Sequence, residues 1–255
     1  MIFYFSGTGN SYQAAKSLLS PGEELADMAK CVRERKFSFS PGADEALGFV
    51  CPVYFGGLPS VVREFIAAFK TDGADRYCYG VLTCGGSPQA AAEMLRDDLR
   101  GSGISLSSVF TVTMPDNYVV MFTMDSEAKI QRTLSAAEQE LKKIKARIDS
   151  RETVAVKTSA AARALTKTMY PMYDRARKTD KFTTDDQCIG CGTCAGRCPA
   201  QAIVMRGGRP KWIKERCIHC MACVRCGAVQ YGKSTVGKKR YTNPILKKTS
   251  GHVHH

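Results

Sequence analysis

MIFYFSGTGNSYQAAKSLL, Met1 to Leu19, is the stretch on which the fold turns. A short apolar run, a loop of Ser, Gly, Thr and Asn, and an amphipathic segment follow one another, which reads as strand, loop and helix. A loop of this kind entering a helix is a phosphate-binding arrangement. Ser6, Thr8, Asn10 and Ser11 offer side-chain donors, and Gly7 and Gly9 let the backbone approach an anion. The helix dipole favours that anion without any Lys or Arg. A P-loop needs Gly-Lys followed by Ser or Thr, which is absent, and a dinucleotide fingerprint needs a third glycine where Tyr12 stands. An ordinary strand-to-helix turn uses the same residue types.

Two later segments strengthen the ligand reading. The apolar run Leu47 to Val50 leads into CPVYFGGLPS (Cys51 to Ser60), and Tyr79 to Leu82 leads into TCGGSPQ (Thr83 to Gln89). Three strand ends therefore carry glycine-rich loops, and in a doubly wound parallel sheet ligands bind at those carboxyl ends. Strands are expected near 2–5, 24–28, 46–52, 77–83 and 106–113, and helices near 10–19, 59–69 and 87–100. Such alternation predicts an α/β fold, a five-stranded parallel sheet with helices on both faces. After Asp125, Ile130, Leu134, Ala137, Leu141, Ile144 and Ile148 step by fours and threes, a single apolar stripe that should dock on the sheet.

Eight of the twelve cysteines fall into two groups, Cys188, Cys191, Cys194 and Cys198 in CIGCGTCAGRCP, and Cys217, Cys220, Cys223 and Cys226 in CIHCMACVRC. Three thiolates separated by two residues each can converge from one tight loop onto three irons of a cube. The rival is a pair of tetrahedral zinc sites, although zinc rarely needs the third and fourth cysteines or the Cys-Pro ending. A disulfide framework fits less well still. Cys188, Cys191 and Cys194 recur 29 residues later as Cys217, Cys220 and Cys223, but Cys198 would recur at Gly227 and the cysteine stands instead at Cys226. In a helical segment a one-residue slip turns a side chain by roughly 100°. The slip leaves three outcomes for the first cluster: three-cysteine ligation, lability, or a rearranged backbone that brings Cys226 back.

The residues carry resemblances. Ser6 to Ser11 match the phosphate loop of the flavodoxin family, Pro52, Tyr54, Gly56 and Pro59 match its first loop over the flavin ring, and Thr83 to Gly86 stand where the second ring loop would be. The first cysteine group resembles the run that wraps cubane clusters in bacterial-type ferredoxins. Together the halves look like the flavodoxin-ferredoxin fusion proteins of anaerobic bacteria and archaea, and the resemblance extends through MPDNYV (Met114 to Val119), Lys211 and Trp212, and the YGKST and RYTNP segments. The resemblance implies a flavodoxin-like doubly wound domain followed by a small α+β two-cluster ferredoxin-like domain. It implies FMN held by Ser6, Gly7, Thr8, Gly9, Asn10, Ser11, Pro52, Tyr54, Phe55, Gly56, Gly57, Thr83, Cys84, Gly85 and Gly86, with Tyr54 or Phe55 against the ring. It also implies two 4Fe-4S clusters. In two-cluster ferredoxins the fourth cysteine of a run ligates the other cluster. Applied here, Cys188, Cys191 and Cys194 hold cluster one with Cys226, and Cys217, Cys220 and Cys223 hold cluster two with Cys198.

The expected organisation is a flavodoxin-like FMN-binding domain over 1–155, a helical connector over 156–180 that Pro171 interrupts, the 2x4Fe-4S domain over 181–241, and a flexible tail over 242–255 with His252, His254 and His255 at the surface. No stretch approaches the roughly 20 apolar residues of a membrane span, and MIFYF is too short and uncharged for a signal peptide, so cytoplasmic residence is expected. Cys31, Cys51, Cys78 and Cys84 read as small packing residues, with a place beside the flavin as the alternative for Cys84. The formal charge is +13, and residues 200–255 hold twelve Lys or Arg against one Glu. Two oxidised clusters and one FMN phosphate would lower that to about +7. The basic residues near the second group, such as Arg206, Arg209 and Lys211, suit cluster charge, an acidic redox partner or plain solvation better than nucleic acid, since no aromatic-basic interleave is present. Electron transfer between FMN and the clusters is the leading function. A flavin-dependent reductase and a redox or iron sensor are the rivals; no nicotinamide-binding segment, nucleophile or general base stands out, and His219 reads as a spacer inside CIHC.

Overall fold

A computed structural model of the protein describes residues 1–42, 44–72 and 76–246. The chain forms two compact units: residues 1–6, 10–115 and 128–173 in the first, and 7–9, 116–127 and those from 174 onward in the second.

The first unit is built on a five-stranded parallel sheet. Its strands are β1 (Ile2–Tyr4), β2 (Leu25–Asp27), β4 (Leu47–Pro52), β6 (Cys78–Cys84) and β7 (Ser108–Thr113), ordered β2-β1-β4-β6-β7. Every pairing in this sheet is parallel. Counting only these five, the order is 2-1-3-4-5, the doubly wound flavodoxin-like topology that the family resemblance implies. A second pair of two-residue strands, β3 (Ser38–Phe39) and β5 (Lys70–Thr71), lies outside it.

Helices α1 (Asn10–Leu18), α2 (Met28–Glu34), α3 (Ser60–Ala68), α4 (Ala91–Gly101), α5 (Glu127–Asp149) and α6 (Ala160–Ala176) accompany the strands. Side chains alternate across a strand, so β1 feeds two cores at once. Ile2 joins Ala14, Leu18, Val50, Val81 and Phe110 on the face where α5 lays down Leu134, Ala137, Leu141, Ile144 and Ile148. Phe3 points the other way, into a ring cluster with Phe39, Phe49, Phe65 and Phe69 at centroid separations of 4.8 to 5.4 Å. The stripe expected after Asp125 thus docks on the sheet. Among the described residues no helix is long and apolar enough to cross a membrane.

Helix α2 is an addition to the sequence reading. Asp27 ends β2 and its carboxylate accepts from the Ala29 and Lys30 amides at 2.8 and 3.2 Å, so one residue closes the strand and caps the helix. Helix α6 continues through Pro171, where an interruption is expected.

The second unit is a small assembly of short antiparallel pairs. β8 (Phe182–Thr184) pairs with β11 (Val229–Tyr231), and β9 (Ile203–Arg206) with β10 (Arg209–Trp212). A one-turn helix, α7 (Thr193–Gly196), and two 3-10 turns at Val224–Cys226 and Gly232–Thr235 complete it. Within the tail expected from residue 242, Asn243 is 1% exposed and its amide donates to the Thr8 carbonyl at 2.9 Å. His252, His254 and His255 lie outside the described residues.

Leu141 sits at the centre of the α5 stripe and is 1% exposed. Leu141→Ala is expected to remove about 2–5 kcal/mol of stability, whereas Lys142→Ala on the exposed side should change it by less than about 0.5 kcal/mol. Urea denaturation followed by far-UV circular dichroism measures both.

Candidate metal centre and phosphate loop

Both cysteine loops share one backbone path, which is why they can hold sulfurs in the same way. Gly190 and Gly192 lie in the left-handed region at φ +71° and +72°, and 29 residues on His219 and Met221 do so at +56° and +61°. Left-handed backbone costs a residue with a Cβ roughly 1–2 kcal/mol, so the second loop is strained where the first is relaxed. Glycine at 190 answers a packing demand too: a Cβ there would stand 2.6 Å from the Gly208 carbonyl oxygen in the β9–β10 turn.

Cys198, from the first group, lines one cavity with Cys217, Cys220 and Cys223 from the second, together with Phe182, Ile203 and Trp212. The Ala202 amide donates to the Cys198 sulfur at 3.3 Å and the His219 amide to the Cys217 sulfur at 3.2 Å. Burial pushes the Cys217 thiol up to about 11 and Cys220 up to about 12. Cys223 is raised further, by burial and then by Cys220, Cys217 and Cys198. Thiols in such a pocket ionise only beside a compensating cation. The four sulfurs line one space, a donor set that an iron-sulfur cluster takes. The residues present fit an iron-sulfur cluster.

The other group is more open. Cys194 is raised by burial, and also by Cys226 and Cys188. Cys226 lies in the Val224–Cys226 turn that Gly227 closes at φ +87°. Cys191 is exposed, and the Thr193 hydroxyl at 3.3 Å lowers its thiol.

Several residues with no derivable role in the sequence acquire one here. Trp212 stacks on Phe182 at 5.2 Å and 5°, walling the cavity. Gln230 and Thr235, of the segment ending in YGKST, form a clasp: the Thr235 hydroxyl donates to the Gln230 oxygen at 2.9 Å, and Gln230 Nε2 donates to Asp185 at 3.0 Å, three residues before Cys188. Arg240 donates to Gln230 at 2.8 Å and to the Val224 carbonyl at 3.1 Å. His219 is not a mere spacer: it is 3% exposed and its Nε2 lies 3.0 Å from the Tyr118 hydroxyl.

The residues expected to hold a flavin gather at the carboxyl ends of β1, β4 and β6. Ser11 and Thr83 share a hydrogen bond of 2.7 Å, which ties the phosphate loop to the loop after β6. Asn10 Nδ2 donates to the Pro115 carbonyl at 2.9 Å. Helix α1 has no acidic residue in its first turn. Asn117 Nδ2 donates to the Thr8 hydroxyl oxygen, and a small cavity beside Thr8 is also lined by Asn117, Arg225 and Arg240. A helix start without acid fits a phosphate. Ser6 and Gly7 complete the loop, and Gly9 takes φ +103°, where a Cβ would meet Asn243 at 2.8 Å.

The loop after β4 is a closed turn in which the Tyr54 and Gly57 amides and carbonyls exchange bonds of 2.9 Å, with Phe55 and Gly56 left-handed at φ +52° and +74°. Helix α6 braces it. The Thr166 hydroxyl donates to the Gly56 carbonyl at 3.1 Å and accepts from the Ala90 amide at 3.1 Å, and the Tyr170 hydroxyl donates to the Leu58 carbonyl at 2.6 Å. Tyr173 packs 5.8 Å from both Tyr54 and Phe55. Pro52 is half-buried, whereas Gly85 and Gly86 are exposed. The Cys84 thiol donates to the Gly86 carbonyl at 2.9 Å. Cys31, Cys51 and Cys78 are buried, as their packing role requires.

Residues 181–226 match the family model of the 4Fe-4S dicluster domain, Fer4_10. No curated protein matches the chain. Among solved structures the chain is similar to an FMN-dependent NADH-azoreductase from Bacillus anthracis (10% identity over 58% of this chain and 97% of that one, TM-score 0.36). It is also similar to the flavodoxin of Streptococcus pneumoniae TIGR4 (17% identity, 57% and 97% covered, TM-score 0.33). A third is the Trp repressor binding protein of Bacillus subtilis (12% identity, 55% and 96% covered, TM-score 0.32). The strand order carries the fold assignment, and these likenesses add nothing to it.

Gly190→Ala brings a Cβ against the Gly208 carbonyl and strains the loop. The expected result is loss of about half of the bound iron and acid-labile sulfide with the second group's cluster retained, read by iron and sulfide analysis with EPR.

Proposed function

We propose that the protein moves electrons between FMN and two 4Fe-4S clusters, serving as a low-potential carrier or as a converter between two-electron and one-electron partners. The carrying observation is the cavity in which Cys198 of the first motif meets Cys217, Cys220 and Cys223 of the second. Two independent metal loops would keep their own fourth cysteines; exchange of a cysteine between motifs is the arrangement of a dicluster ferredoxin. On this reading cluster two takes Cys198, Cys217, Cys220 and Cys223, and cluster one takes Cys188, Cys191, Cys194 and Cys226.

When bound, FMN accepts two electrons and releases them singly, while each cubane passes one at a time. The chain supplies the rest. Buried thiols lose protons as iron takes their place, and the amides of Ala202 and His219 donate to the resulting thiolates. Thr8, Asn10 and Ser11 with the start of α1 hold the phosphate, and Tyr54 or Phe55 contacts the ring. Residues 1–155 form the flavin domain, 156–180 the connector and 181–241 the cluster domain. The exposed Cys191 and Cys226 make cluster one the exchange point with a partner protein. Arg197 and Arg225, the latter held below its ordinary value by burial and then by Arg197, suit an acidic partner there. A reducing cytoplasm keeps the unclustered thiols intact.

Anaerobic purification followed by absorbance and by iron, sulfide and flavin analysis tests the whole reading; about eight irons and one FMN per chain are expected, and a colourless protein without labile sulfide overturns it. In Cys198→Ala one cluster should be lost, and unchanged iron refutes the exchange of cysteines.

Thr8→Ala combined with Asn10→Ala removes two polar side chains from the phosphate loop. FMN affinity should fall at least about tenfold, the equivalent of one or two hydrogen bonds to a charged group. Flavin fluorescence quenching against the apoprotein measures it, and the iron content serves as the control.

A further inference from the structure

The second cysteine loop carries a side chain at the place where the first carries none. Gly190 in CIGC corresponds to His219 in CIHC, and both take left-handed backbone. A Cβ at Gly190 would strike the Gly208 carbonyl. His219 meets no such wall, yet it adopts a conformation that glycine would adopt at less cost. Strain tolerated at a site points to work done by the side chain.

That side chain is buried among aromatic rings. The imidazole packs edge-on against Tyr231 at 4.9 Å, Tyr118 at 5.5 Å and Phe182 at 6.3 Å. Its two nitrogens have different surroundings. Nε2 faces the Tyr118 hydroxyl at 3.0 Å, whereas Nδ1 is buried without a hydrogen-bond partner in the protein. A phenol donating to Nε2 leaves the ring proton on Nδ1. A buried N–H with no acceptor is destabilising, and His219 lines the same cavity as Cys198, Cys217, Cys220 and Cys223.

We infer that His219 Nδ1 donates a hydrogen bond to a sulfur of cluster two, with Tyr118 as the positioning residue that fixes the tautomer. The inference rests on the cluster assignment proposed above. Hydrogen bonds to cluster sulfurs stabilise the more negative, reduced form and raise the potential. Cluster one has glycine at the equivalent place. The pair is therefore unequal by construction, with cluster two the easier to reduce on this account.

The test uses the anaerobically purified full chain. EPR-monitored redox titration of the parent, His219→Phe, His219→Asn and Tyr118→Phe gives each cluster's midpoint potential, with iron and sulfide counted in every sample. In His219→Phe the reduction equilibrium of cluster two should fall about tenfold, 59 mV for one electron, with cluster one unmoved. Tyr118→Phe should shift it in the same direction by less, and His219→Asn, whose amide keeps a donor and tolerates left-handed backbone, should recover part of the loss. Should His219→Phe not retain its clusters, pulsed EPR of the reduced parent labelled with nitrogen-15 histidine decides. His219 is the sole histidine outside the last four residues, so a coupling at cluster two supports the inference and its absence overturns it. A parent that binds both clusters while His219→Phe leaves cluster two's potential unchanged overturns this inference alone. A parent without iron and sulfide overturns the proposed function beneath it.

Discussion

Gathering the half-buried Cys217, Cys220 and Cys223 with Cys198 around one cavity is the constraint from which the second unit follows. Taken from water without a counter-charge these groups stay protonated, and each added sulfur raises the next, as Cys223 records. The pocket is therefore a receptor for positive charge, with amides of Ala202 and His219 already turned toward sulfur. The surrounding structure serves the same end. The Trp212 and Phe182 stack closes one wall, and the Asp185, Gln230, Thr235 and Arg240 clasp draws the flanks of both cysteine loops together. In a unit this small, with strands of three or four residues, metal ligation would supply the stability that a larger apolar core otherwise gives.

A different logic governs the sheet. Its strands are buried on both faces and pair in parallel, so local pattern dictates them strongly and their carboxyl ends gather loops whatever those loops contain. The chain then loads three of these loops with small polar residues and glycine. Contacts from residues far along the sequence fix them: Asn117 and Asn243 at Thr8, and Thr166, Tyr170 and Tyr173 at the turn after β4. A helix read from sequence as a connector thus braces a loop that the same reading gave to the flavin.

What was legible in the sequence divides along these lines. The five strands and the α5 stripe announce themselves, because periodicity and strand length are local properties. Helix α2 does not, since its seven residues are too short for a period and its cap, Asp27, is also the last residue of a strand. The cysteine spacing is legible because tight loops leave few ways to aim three thiols. The fate of Cys226 is not, because it depends on a turn that Gly227 closes. The roles of Asn117, Trp212, Gln230 and Asn243 are tertiary: each acts across a long stretch of chain, and a single sequence carries no mark of the pairing.

His219 shows what backbone angles add to a repeat already visible in the cysteine spacing. By sequence alone, Gly190 and His219 are two unconstrained positions inside CxxC motifs. By conformation they are the same position, since both are left-handed and both precede a cysteine that the reading assigns to a cluster. Symmetry between the loops makes the difference between them meaningful: with the backbone held constant, the imidazole and its Tyr118 partner remain as the variable. Motif one is open, with Cys191 and Cys226 exposed, while motif two is sealed by rings. An exposed cluster is solvated by water, which can itself donate to sulfur, whereas a sealed one depends on donors that the protein provides. A sealed cluster given no such donor would be pushed to low potential by burial alone. A donor at residue 219 would therefore count for more in this loop than one at residue 190.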